Sequence, residues 1–186
     1  MPKCNSCPER TQNQNGDTVF QDPKEMISEE RIWEILEEVK DPEIPVLSVT
    51  DMGIVRKVDR EGDQITVTIT PTYTGCPAMD AIEENILSAL KEAGMDDVHV
   101  ETVLSPAWTT DWITEKGLRN LEEYGIAPPV KGTADKRTLF AKAPEVRCPH
   151  CGSKNTQMVS AFGSTACKAQ YKCNECLEPF DYFKCI

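Results

Sequence analysis

Four cysteines near the C-terminal end are spaced to hold a metal ion. Cys148-Pro-His-Cys151 and Cys173-Asn-Glu-Cys176 are two Cys-x-x-Cys knuckles separated by 21 residues. Each knuckle sets two sulfurs on one tight turn, and the intervening hairpin brings the turns together. Four thiolates then meet at the roughly 2.3 Å metal–sulfur distance of tetrahedral zinc. Rubredoxin-type iron would use the same four sulfurs, because ligand type and number do not separate the two metals. His150, inside the first knuckle, fits a solvent-facing spacer. The segment carries too few large apolar residues to fold alone, so metal binding would supply much of its folding free energy.

The other thiols ask for different chemistry. Cys76 lies in Thr72-Tyr73-Thr74-Gly75-Cys76-Pro77, just before an expected helix. Free N–H groups and the dipole at a helix N-terminus favour thiolate, which suits a nucleophile or a soft-metal ligand. The plainer alternative is a packing cysteine beside a capping turn. No histidine shares this stretch, so a Cys–His catalytic pair has no support. Cys4 and Cys7 form a further Cys-x-x-Cys pair, and Cys167 and Cys185 are surplus to the four-sulfur set. Either of the last two could be a small buried hydrophobe or part of a labile second site. Asp41, Glu43 and Asp51 flank one loop and read as solvated charges unless something gathers them. Trp108 and Trp112 suit core or lid positions, or a protein interface if exposed.

Composition bounds the function. The chain has 186 residues, a formal charge of -11 and nine cysteines. That acidity argues against broad phosphate-backbone binding, which needs a Lys/Arg surface. Residues 146–186 carry five Lys/Arg against three Asp/Glu, a net +2, which leaves -13 for the rest. A ribbon of this charge permits nucleic-acid binding while the acidic remainder opposes it. No apolar run approaches the roughly 18 residues of a membrane span, and the N-terminus lacks the apolar stretch of a signal peptide. A cytoplasmic protein is expected, and there thiols stay reduced, which favours metal over disulfides. No Gly-rich phosphate loop, Ser–His–Asp set or His/carboxylate cluster for a di-iron centre is present, so a conventional enzyme is not expected.

The elements that must position these residues form an α+β pattern. Residues 1–27 are polar and aperiodic, a loose lead-in. Ser28 is placed as an N-cap, and Ile32, Ile35, Leu36 and Val39 recur at helical spacing until Asp41-Pro42. A strand around 54–58 and the alternation of Ile65, Val67 and Ile69 with threonines follow. Pro77 opens a second helix, striped by Ile82, Ile86, Leu90 and Ala93 and stopped by Gly94. Val98, Val100 and Leu104 make a third strand, and 110–124 a third helix ended by Gly125. The expectation is an αββαβα domain over 28–125 and a linker over 126–145. A C-terminal four-cysteine, zinc-ribbon-like β subdomain would fill 146–186, with strands near 158–162 and 170–172.

Asp41-Pro-Glu-Ile-Pro45, Ser48-Val-Thr-Asp-Met-Gly-Ile-Val55 and Thr72-Tyr-Thr-Gly-Cys-Pro77 resemble the signature of the small domain of SufT-type iron–sulfur assembly factors. Combined with Ser105-Pro-Ala-Trp108 and the tail Glu178-Pro-Phe-Asp-Tyr-Phe-Lys184, the pattern resembles the PaaD family, accessory proteins encoded with the phenylacetyl-CoA epoxidase of phenylacetate catabolism. The resemblance spans about residues 29–186; Cys4 and Cys7 fall outside it. It implies a non-catalytic maturation factor that helps assemble or deliver iron or an iron–sulfur cluster. Partners would be protein subunits of the oxygenase, the reductase foremost, with no membrane, no nucleic acid and a homodimer as one option for a second thiol. It implies transient iron or cluster binding at Cys76, with Asp41, Glu43, Asp51 and Thr74 at the accompanying motif positions, and structural zinc at Cys148, Cys151, Cys173 and Cys176. Two competing readings are a rubredoxin-like electron carrier within an oxygenase system and a zinc-ribbon regulator that binds nucleic acid.

Overall fold

The computed structural model describes residues 28–130 and 145–184. Cys4, Cys7, Cys185 and the middle of the expected linker lie outside the described residues. The chain is α+β: α1 (Glu29–Glu38), β1 (Val55–Glu61), β2 (Gln64–Ile69), α2 (Ala78–Glu92), β3 (Val98–Thr102), a 3-10 turn (Thr110–Trp112), α3 (Glu115–Glu123), β4 (Ile126–Ala127), β5 (Thr156–Ser160), β6 (Lys168–Cys173) and β7 (Pro179–Phe183). No helix among the described residues is long and apolar enough to cross a membrane.

The front sheet has the order β1-β2-β3. The turn at 61–64 makes β1 and β2 an antiparallel hairpin, whereas β2 and β3 are parallel because α2 carries the chain back across the sheet. The alternation in β2 buries Ile65, Val67 and Ile69. Against that face pack Ile32 and Leu36 of α1 and Ile82, Ile86 and Leu90 of α2, all under 2% exposed. Ser28 caps α1 by accepting from the Arg31 N–H at 3.3 Å.

Three elements differ from expectation. The third helix is broken: Thr109 caps the short 3-10 turn, and Thr114 starts α3 afresh by accepting from the Gly117 N–H at 2.9 Å. Threonine hydroxyls compete for backbone donors and so restart a helix rather than continue it. Leu104 is 59% exposed, past the end of β3. Ile126 and Ala127, expected in the linker, instead pair in parallel with Asp181 and Tyr182 of β7.

The C-terminal sheet therefore has four strands, in the order β4-β7-β6-β5, and borrows its edge from the front of the chain. Its core is small: Ala127, Val146, Ala169, Tyr171, Phe180 and Tyr182 surround Cys148 and Cys173. Tyr171 meets Phe180 and Tyr182 at ring centroids of 5.9 and 5.5 Å. β7 lies in what the sequence offers only as a tail motif. Phe183 and Cys167 do not belong to this small core; both are buried within the front domain's core. Phe183 meets Trp108 edge-on at 6.2 Å, and the Trp108 Nε1–H donates to the Met52 carbonyl at 3.0 Å. The ribbon is docked on the front domain rather than trailing from it.

A glycine is required beside Trp112. Gly53 has φ +70, and a Cβ there would lie 2.7 Å from both Trp112 Cβ and its carbonyl oxygen. Trp112 in turn carries the Arg56 guanidinium over its ring at 3.5 Å. Trp108 and Trp112 thus act as packing residues.

Candidate metal sites

The four ribbon sulfurs converge. The Sγ atoms of Cys148, Cys151, Cys173 and Cys176 all lie within 4.8 Å of one another. Cys148–Cys176 and Cys151–Cys173 are 3.7 and 3.5 Å apart, and all four are free thiols. Sulfurs at 2.3 Å around a tetrahedral zinc would be about 3.8 Å apart, so the residues present fit zinc. The knuckles are built alike. In the first, the Cys148 N–H donates to the Ser153 carbonyl and the Gly152 N–H to the Cys148 carbonyl, each at 2.9 Å. In the second, the Cys173 N–H donates to the Glu178 carbonyl at 3.0 Å and the Glu175 N–H points at the Cys173 sulfur at 3.4 Å. The residue after each second cysteine is left-handed, Gly152 at φ +73 and Leu177 at φ 66. Only the glycine announces that turn in the sequence.

Backbone donors tune these thiols. The N–H groups of Cys176 and Glu175 lower Cys173 to about 7. Cys176 receives a downward pull from the Glu178 N–H, but lost hydration and the neighbouring cysteines push it up to about 12. A crowded set of thiols cannot all ionise without a cation among them, and a bound divalent metal removes that conflict. His150 is exposed and is not one of the converging ligands. Its ring instead lies beside Gly125, where a Cβ would come within 3.2 Å of Cε1.

The second site surrounds Cys76, half-buried on the turn that leads into α2. Its N–H donates to the Tyr73 carbonyl and its own carbonyl accepts from Met79, both at 3.3 Å. Thr74 and Gly75 beside it are exposed, and Gly75 takes φ +84 to make the turn. Burial, together with a hydrogen bond to the Cys76 sulfur and the charges of Cys76, Glu43 and Cys167, raises the Tyr73 phenol to about 12. Tyr73 therefore keeps its proton beside the Cys76 sulfur.

The three acidic motif residues do different things. Asp41 is buried and its Oδ1 accepts from the N–H groups of Glu43 and Ile44 at 2.7 and 2.8 Å. It shapes the loop, with burial raising its pKa against those two bonds. Asp51 is also buried, and its Oδ1 accepts from the Thr114 hydroxyl at 2.8 Å while Lys116 faces Oδ2 at 3.4 Å. Burial alone would raise its pKa, but the Thr114 and Ser48 bonds and the Lys116 charge outweigh that and lower it. Asp51 anchors α3. Glu43 is the one whose carboxylate meets a thiol: its Oε2 lies 3.5 Å from Cys167 Sγ, and its carbonyl accepts from Lys168 Nζ at 2.9 Å. Sequence reasoning left out Tyr73 and Lys168 and gave Cys167 no partner. Tyr73 could have been found from its place in the Cys76 loop; the other two sit more than 120 residues from Glu43.

Comparison with known proteins fits both halves. Residues 132–184 match the PaaD zinc beta ribbon domain, and residues 29–103 match an iron–sulfur cluster assembly protein family. A protein of Escherichia coli (strain K12), named provisionally as one of the subunits of 1,2-phenylacetyl-CoA epoxidase, is 49% identical over 155 residues, covering 83% of this chain and 92% of that one. The chain belongs to the PaaD family. The front half of this PaaD-family chain is also similar to two proteins matched over that half alone. The Fe-S protein maturation auxiliary factor of Porphyromonas gingivalis is 36% identical over 50% of this chain and 90% of its own. The Fe-S protein maturation auxiliary factor YitW of Bacillus subtilis is 37% identical over 44% and 81%. In PaaD-family terms, an iron–sulfur assembly-type domain is joined to a four-cysteine ribbon that fits zinc.

Proposed function

We propose that this chain is a cytoplasmic, non-catalytic maturation factor that holds iron or an iron–sulfur cluster transiently at Cys76. It would hand that cargo to a component of a phenylacetyl-CoA epoxidase system, the reductase foremost. The observation that carries the reading is the contrast between two thiol environments in a chain of this family. Four ribbon sulfurs are already gathered into a closed set, which suits a resident structural ion. Cys76 is half-buried on an exposed turn beside Tyr73, in the half of the chain that resembles two bacterial maturation factors. Incomplete ligation is what a donor needs, because cargo must leave as readily as it enters.

The test is anaerobic loading of zinc-containing protein with Fe(II) and sulfide, followed by transfer to the metal-free reductase. Wild type should gain an oxygen-labile visible spectrum and activate the reductase, and Cys76→Ser should do neither. Normal maturation by Cys76→Ser would refute the role of the thiol. The four-sulfur ribbon would also accept iron; stable colour that survives both air and Cys76→Ser would favour an electron carrier instead.

A further inference from the structure

Each of the two sheets ends in two edge strands, and three of those four edges are protected. An edge strand offers unpaired N–H and C=O groups, and charged residues or short length normally keep other chains away from it. β1 carries five charged residues among its seven, Val55-Arg-Lys-Val-Asp-Arg-Glu61. β3 carries His99 and Glu101, and β4 is two residues long. β5 has neither defence. It is the outer strand of the order β4-β7-β6-β5, with no strand on its far side among the described residues. No Asp, Glu, Lys, Arg or Pro occurs between Lys154 and Lys168.

The same stretch exposes apolar side chains. Val159 is 61% exposed and Phe162 70%, and Met158, opposite Tyr171, is 43% exposed. Local bonds hold Phe162 in place. The Ser160 hydroxyl donates to the Phe162 carbonyl at 2.7 Å and accepts from its N–H at 3.1 Å, and Lys184 Nζ stands over the ring at 4.3 Å. A free edge, an uncharged run and a fixed aromatic at its end are the parts of a strand-addition site. Backbone bonds there supply affinity, and contacts to alternate side chains supply specificity.

We propose that β5 is a docking edge for an extended segment of a partner protein, apolar at alternate positions and carrying Asp or Glu at its flanks. Charge selects that occupant. Lys154 is paired with Glu145, and Lys168 turns inward to the Glu43 carbonyl. Among the described residues, the cations left along the strand are Lys172, across from Gln157, and Lys184, over Phe162. Residues 146–186, their three acidic residues included, are net +2, which draws an acidic segment and repels a second ribbon. Pairing of β5 with β5 of another copy would bring like charges together. Docking at this edge needs no iron at Cys76, so the two sites stand or fall separately.

The test selects from a displayed library of random peptides on the zinc-loaded full chain, each peptide about twelve residues long to hold one strand and its flanks. Peptides that alternate apolar residues and end in Asp or Glu should be enriched. The tightest of them, labelled and titrated, should bind Val159→Lys at least about tenfold more weakly than wild type, the loss expected when a central contact is removed. Val159 is exposed, so the zinc content of that variant should match wild type. Should it lose zinc, Phe162→Asp, past the strand's end, takes its place with the same expected loss. Outward amides of β5 should gain protection from hydrogen exchange when the peptide binds. Enrichment of basic peptides, enrichment of none, or binding that neither substitution weakens would overturn the proposal. So would outward β5 amides as protected in the free chain as those of β6, because the chain itself would already cover the edge. A concentration-dependent dimer that Val159→Lys abolishes would overturn it in favour of a second copy.

Discussion

The ribbon and the Cys76 loop both present sulfur, but they hold it in opposite ways. In the ribbon, two knuckles of like build aim four sulfurs at one point, and the local backbone fixes each of them. Around Cys76 the backbone of the turn fixes one sulfur only. A closed set saturates its metal and stabilises a fold; an open one leaves coordination positions free and costs little to empty. On the function proposed above, sulfur would serve permanence at one end of the molecule and exchange at the other.

Removing the ribbon metal should break the comparison most severely. Structural zinc in small domains contributes about 10–16 kcal/mol of apparent binding free energy at neutral pH, and the ribbon core offers little to replace it. Cys148→Ser, or a strong chelator, should empty the site and unfold β5 to β7 while α1, α2 and β1 to β3 persist. Metal content together with amide protection would report this, and unchanged metal in Cys148→Ser would refute the ligand assignment.

A smaller perturbation leaves both sites intact and separates them. Phe183→Ala removes the ribbon side chain buried against Trp108 and should cost about 3–5 kcal/mol in urea unfolding. Zinc content and iron uptake at Cys76 should both stay, because the knuckles and the Cys76 turn are each built from their own local backbone; loss of either would show that docking of the ribbon holds that site together.

Asp51 gives the next effect and a pH signature. Its folded carboxyl titrates below the ordinary 3.8. The stability it contributes is therefore present above that value and lost as pH falls through the lower folded one. Asp51→Asn should cost about 1–3 kcal/mol at neutral pH and flatten the acid limb of the stability curve. An unchanged acid limb would mean that other carboxylates set it. Cys76→Ser should have the smallest effect on stability, within about 0.5 kcal/mol, while removing iron binding; a large loss of stability would return Cys76 to the role of packing residue.

The sequence specified whatever depends on neighbours along the chain. The Ser28 cap, the α1 and α2 stripes, the β2 alternation and the two knuckles are all set by residues within a few positions of each other, where helix and strand periodicity and turn chemistry operate. The restart of α3 at Thr114 and the left-handed Leu177 were less legible, because each depends on a local bond or strain that residue type only weakly signals. Tertiary structure alone decided that Ile126 and Ala127 join the ribbon sheet and that Phe183 leaves the ribbon core for the front domain. It also decided that Glu43, of three acidic motif residues, is the one that meets a thiol. The physical reason is common to these cases. Burial of Phe183 and the Lys168–Glu43 bond fix the relative placement of two units, and no periodicity within either unit encodes where its surface will meet the other.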